Sequence, residues 1–147
     1  MTLSSPFQPD RGNLHRAIIE QAQDSVIFAD RAGIIQLWNR GAEIIFGYAA
    51  AEALGQSLDL IIPEKFRPAH NEGFRHALAT GLTRNDGKVL TTRAHNKHGS
   101  RLYVDLSFGL LKDASGTVIG AFAIGRDATA RHLEEVARRV GAETQPV

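Results

Sequence analysis

Cysteine is absent from the 147 residues of this chain. Disulfides, thiolate catalysis and cysteine-ligated zinc or iron–sulfur clusters are therefore excluded, and the redox compartment stays unread. Charge of one sign is also missing. Lys plus Arg number 17 against 16 Asp plus Glu, a formal net charge of +1. A nucleic-acid-binding domain usually shows a basic stripe, so no nucleic-acid partner is expected. No apolar run approaches the ~18 residues that a membrane span needs. The opening "MTLSSPFQPDRGN" lacks the charged and apolar regions of a signal peptide. The expectation is a cytoplasmic protein without a membrane partner. A Gly-rich phosphate loop, a nucleophile elbow and a paired carboxylate array are missing too. Glu43, Glu52 and Glu64 are scattered and read as helix surface charge. No enzymatic activity is expected.

What is present suits one globular domain: 43% hydrophobic and 22% charged residues in a length that favours a single core. Residues 1–12, with two prolines and a glycine, read as a flexible lead. In "NLHRAIIEQAQDS", Asn13 is a plausible N-cap, and Leu14, Ile18 and Ala22 recur at helical spacing beside Ile19. Two apolar runs, Val26 to Ala29 and Ile34 to Trp38, flank the turn "DRAG" and predict a β-hairpin, with Gly33 free to take positive φ. Asn39 then caps a short helix that Gly47 ends. Two more helical turns follow, broken at Gly55 and Pro63. A longer helix, "EKFRPAHNEGFRHALATG", tolerates Pro68 only in its first turn and stops at Gly81.

From about Lys88 the pattern turns to strands: "KVLTTRAHN", "RLYVDLSFGLLKD" and "TVIGAFAIGRD", joined by the turns "NKHGS" and "DASG". Alternation in the second places Leu102, Val104, Leu106, Phe108 and Leu110 on one face, with Tyr103, Asp105, Ser107 and Gly109 on the other. "ATARHLEEVARRV" is a closing helix. Its Leu133, Val136 and Val140 form a short apolar seam that needs a partner or a surface. The order predicts an α+β fold: a five-stranded antiparallel sheet with short helices crossing one face and a flanking helix at each end.

These segments together resemble the PAS sensor domain over roughly residues 13 to 135. "DSVIFADRAGIIQLWNRGAEIIFGY" is similar to the family's opening hairpin and asparagine-capped helix, and "AEALGQSLDLIIPEKFR" to its middle helices. "HNKHGSRLYVDLSFGLL" resembles a later hairpin, with His98 where the family commonly has aspartate. "GAFAIGRDATARHLEE" resembles the last strand and its exit, with Ala128 where isoleucine is usual. The resemblance implies a PAS domain over 13–127 and a signalling helix and tail over 128–147. It also implies a homodimer formed through the flanking helices, and an effector partner.

"IPEKFRPAHNEGFRHAL" carries a sharper likeness, to the haem-bearing PAS domains of bacterial oxygen sensors. In those, the histidine of an "RxxH" on the long helix is the proximal ligand. "RPAH" here carries that role to His70, and haem b is the implied cofactor. A neutral imidazole is a good iron ligand, and an apolar sheet face can bury a porphyrin. Ile45, Leu60, Ile61, Phe74, Leu78, Leu90, Leu106, Phe108, Ile119 and Phe122 are the candidate lining.

The distal side departs from that pattern. The places of the family's distal methionine and arginine hold Lys88 and Leu90, and Arg93, of opposite strand parity to Leu90, is expected to face away. An apolar distal site suits carbon monoxide, nitric oxide or redox sensing better than stable oxygen binding. Photosensory members attach flavin through a cysteine, which is excluded here.

Other readings stand beside haem: a cofactor-free module for dimerisation or for an apolar metabolite, and a non-covalent flavin redox sensor. His76 falls about 600° around the helix from His70, so the two do not share one ion. His95 and His98 read as a solvated hairpin turn, and Trp38 and Phe46 as core or interface. Arg126 and Asp127 either pair with the helices they meet or end a strand as solvated charges.

Overall fold

The computed structural model describes residues 10–83 and 87–144, so most of the expected lead (1–9) and the end of the expected tail (145–147) lie outside the described residues. The elements are helix α1 (Arg11–Gln21), strands β1 (Ser25–Asp30) and β2 (Ile35–Trp38), helices α2 (Arg40–Phe46) and α3 (Ala50–Ala53), helix α4 (Arg67–Thr80), strands β3 (Val89–His95), β4 (Arg101–Lys112) and β5 (Val118–Asp127), and helix α5 (Thr129–Thr144). Two 3-10 turns, Leu58–Ile61 and Glu64–Phe66, stand between α3 and α4. The strands form one antiparallel sheet in the order β2-β1-β5-β4-β3. This is the α+β arrangement that the patterning predicts.

Asn39 is the local organiser of the first half. It is 3% exposed, so its polar groups need partners inside the protein. Its Oδ1 accepts from Ala42 N at 3.0 Å, capping α2, and from Val26 N at 2.8 Å. Its Nδ2 donates to the carbonyls of Ile19 (2.8 Å) and Asp24 (2.9 Å). One side chain thereby ties the end of α1, the start of β1 and the start of α2. Two positions later, a Cβ on Gly41 would run into the carbonyls of Gln23 and Asp24, so only glycine permits this close approach.

Beneath α2 and α3 the packing is dense. Phe46 and Ile35 are fully buried, and Trp38 meets Phe46 with ring centroids 5.5 Å apart. The indole N–H of Trp38 donates to Tyr48 O at 2.9 Å. Trp38 and Phe46 are thus core, not interface.

Some expectations change at the element ends. Asp10, not Asn13, caps α1: its carboxylate accepts from Asn13 N at 2.7 Å, and Arg11 and Gly12 are helical instead of part of a lead. Gly141 to Thr144 continue α5 instead of forming a tail. Glu43 is more than surface charge, because it accepts from Ala50 N at 2.8 Å. Glu52 accepts from Ala49 N at 2.8 Å and pairs with Lys97. Among the described residues no helix is long and apolar enough to cross a membrane.

Candidate functional site: a cavity between helix α4 and the sheet

Helix α4 stands off the sheet. It has no buried residue, although His70, Phe74, Ala77 and Leu78 are half-buried. The space beneath it is a cavity of about 440 Å³, lined by apolar groups except for His70, Thr92 and Arg93. That volume falls in the range of ~300–1,000 Å³ usual for small-molecule and cofactor sites.

Small residues keep the space open. Register pairs Ile27 with Ala123 and Ala29 with Ala121, so both β5 alanines share the inward face of β1. Ala94 of β3 also lines the cavity. The bulky residue between the two β5 alanines goes the other way. Phe122 lies opposite Phe28 and Gly109, and a Cβ on Gly109 would strike the Phe122 ring. Phe122 therefore borders the cavity with its backbone while its ring covers Gly109 on the outer face.

His70 is placed by the turn before it. Arg67 donates from Nε to Ile62 O at 2.9 Å and from Nη2 to Asp59 O at 3.1 Å. These bonds tie the first residue of α4 to the 3-10 turn at Leu58–Ile61. Pro68 suits the first helical turn, where its missing N–H costs nothing. His70 then faces the cavity, with Phe74 stacked beside it at 6.3 Å between ring centroids. Its Nδ1 is buried with no hydrogen-bond partner. Burial pushes the imidazole below its ordinary pKa of 6.5, against opposing pulls from a hydrogen bond with Asn71 and the charge of Asp59. His70 is therefore neutral at pH 7, the form that ligates iron. Imidazole, apolar walls and an orphaned ring nitrogen fit a haem in this cavity.

Of the candidate lining, His70, Ile61, Phe74, Leu106, Phe108 and Phe122 border the cavity. Five others do not. Ile45 and Leu60 pack against the core cluster instead. Leu78 lines a smaller neighbouring cleft with Asp59, Asn71 and Arg75. Leu90 pairs with Leu106 near the start of the edge strand, outside the cavity wall. Ile119, the second residue of β5, is 39% exposed and lies outside the cavity wall. Phe46, Leu58, Ile62, Phe66, Ala69, Ala121 and Ala123 belong to the wall and escape sequence reasoning. Strand pairing would have found the two alanines, because they fall opposite Ile27 and Ala29.

Arg93 is also not turned away, although its parity predicts that it would be. Arg93 pairs with Tyr103 in register, yet it lines the cavity, with its guanidinium 5.5 Å from the Phe66 ring centroid. β3 is an edge strand, so a long side chain can reach round its open side. His95 does the same: its Nε2 lies 3.0 Å from Leu60 O, so it is no solvated turn residue. His76 and His98 are exposed, and among the described residues no three His, Cys, Asp or Glu gather as a metal cluster.

The sheet exit is built tightly. Asp127 accepts from Thr129 N at 2.9 Å and from Thr129 Oγ1 at 2.6 Å, capping α5. Thr129 Oγ1 accepts in turn from Tyr103 N at 3.0 Å, and the Tyr103 ring stacks on His132 at 4.0 Å. Arg126 pairs with Asp24 at 3.1 Å. Asp127 thus engages the helix it meets, whereas Arg126 pairs with Asp24 in the segment between α1 and β1.

The comparisons agree with this geometry. The family described as "PAS fold" matches residues 13–128. The chain is 29% identical over 111 residues to "Oxygen sensor protein DosP" of Escherichia coli (strain K12), covering 76% of this chain and 14% of that protein. It is 28% identical over 123 residues to "Sensor protein FixL" of Bradyrhizobium diazoefficiens, covering 84% of this chain and 24% of that protein. Among solved structures, a PAS domain from Colwellia psychrerythraea superposes with a TM-score of 0.72 at 20% identity, covering 82% of this chain and 99% of that one. An RNA-binding light-oxygen-voltage receptor follows the same fold, with a TM-score of 0.68 at 22% identity, covering 99% of this chain and 42% of that one. With its cavity under the long helix, its five-stranded sheet and its capped exit helix, the chain belongs to the PAS family.

Proposed function

We propose that this PAS sensory module holds a b-type haem through His70 and passes the state of that cofactor to its flanking helices, with no catalytic activity of its own. The observation that carries the reading is one side chain: a neutral imidazole with an unpartnered nitrogen, in the wall of an apolar cavity. Its place in "RPAH" adds the resemblance to haem-bearing sensors. Arg67 orients the helix that carries it, and Phe74 packs beside its ring. When bound, the haem supplies an iron centre that takes up a diatomic gas or changes oxidation state.

The chain's own part is transmission. β5 runs from the cavity wall at Ala121 and Ala123 to Asp127, where hydrogen bonds from Thr129 fix the start of α5. On the outer face, Arg131 of α5 pairs with Asp105 at 2.9 Å, and Asp105 also accepts from Thr91 of β3 at 2.6 Å. Leu133, Val136 and Val140 on α5 and Leu14 and Ile18 on α1 are exposed. They would meet their counterparts in a homodimer, and an effector would read the change. Sedimentation should give a dimer that Leu133→Lys dissociates; a wild-type monomer would sink this part.

Absorption spectra of protein made with haem supplied test the cofactor. A Soret band that shifts on reduction and again with carbon monoxide supports the reading. A yellow protein would transfer the cavity to a flavin, and a colourless one to an uncoloured metabolite.

A further inference from the structure

Arg93 brings a positive charge to a cavity that has no negative one. The side chains in the wall include no carboxylate. Arg126, Arg131 and Arg75 each have an acidic partner. Arg93 has no acidic partner among the described residues: its guanidinium lies by the Phe66 ring, and its Nε is buried without a hydrogen-bond partner. A partly desolvated cation is costly unless an anion meets it. A guanidinium beside an apolar slot is well made to take a planar carboxylate through paired hydrogen bonds.

We infer that the cavity takes an amphipathic carboxylate, its apolar body under α4 and its acid group on Arg93. The inference deepens the haem reading, since haem carries carboxylates, but does not require it. A fatty acid offers the same chemistry, so the source is left to the experiment.

Two matched probe pairs make the test: haemin with its dimethyl ester, and the fluorescent fatty acid parinaric acid with its methyl ester. Each is titrated into the wild-type protein, R93Q and R93K, with circular dichroism checking that every variant is folded. The acid of at least one pair should bind wild-type about tenfold tighter than its ester, the scale of a charge-assisted hydrogen-bonded pair. R93Q should erase that preference and R93K restore part of it. Should R93Q fail to fold, R93K decides, by binding the acid more weakly than wild-type while leaving the ester unchanged. Equal affinity for acid and ester, a preference that survives R93Q, or no binding of either pair overturns the inference. Haemin failing while parinaric acid binds through Arg93 would remove the haem reading and leave this one standing.

Discussion

Helices α2 and α4 cover the same face of one sheet, yet α2 buries Gly41, Ala42 and Phe46 while α4 buries no residue. The α2 half is held by a satisfied asparagine cap, a close glycine contact and a fully buried aromatic ring. The α4 half is held at its start by Arg67 and otherwise rides over alanines. The difference separates two tasks. Dense packing under α2 stabilises the domain, and loose packing under α4 leaves room for something that is not protein.

Phenylalanine occurs on both helices, which allows the comparison to be broken directly. Phe46→Ala should destabilise the domain by about 3–5 kcal/mol, as for other fully buried aromatic rings. Phe74→Ala should cost only about 1 kcal/mol, since its ring is half-buried beside a cavity, yet it should weaken ligand binding. Denaturant unfolding of both variants reads the contrast. Equal losses would mean that α4 is packed as tightly as α2.

Asn39→Ala should follow Phe46→Ala in size, at about 2–3 kcal/mol, because it removes a cap and strands buried backbone groups near α1 and β1. A chemical denaturation midpoint close to wild-type would contradict that role. Ala123→Leu sharpens the comparison from the other side. It fills the cavity, so stability should change by less than about 1.5 kcal/mol while ligand uptake is lost. Ligand uptake at the wild-type level would place the bound group elsewhere.

The smallest effect expected is a pH dependence. The His70 pKa is depressed in the folded state, so the unfolded chain takes up a proton first as pH falls below about 6.5. Stability from this residue is complete above 6.5 and declines as pH falls toward the lower folded value. His70→Asn should flatten that part of the stability curve. An unchanged slope would mean that His70 is not buried as a neutral ring.

Much of this architecture is legible in the sequence because it rests on short-range chemistry. Asn39 caps the residues just after it, Gly33, Gly47 and Gly81 take positive φ where turns need it, and the first half of β4 alternates. "RPAH" points to His70 through its resemblance to the haem-bearing PAS sensors. The cavity wall was less legible, for two physical reasons. On β5 both faces are apolar, so alternation does not decide whether Ala121 and Ala123 or Phe122 and Ile124 face the helices; pairing with β1, distant in the chain, decides. On β3 parity puts Arg93 outward, but an edge strand lets a long side chain turn back. Local rules do not contain the open edge.

Haem ligation by His70 on the loosely packed helix, as proposed, has a direct test. The most direct measurement is the spectrum of the reduced, carbon monoxide-treated protein, wild-type beside His70→Ala, each purified with haem supplied and shown to be folded. A sharp, shifted Soret band is expected in the wild-type, and its loss in the variant. A wild-type without the band, or a variant that keeps it unchanged, would rule out haem ligation by His70.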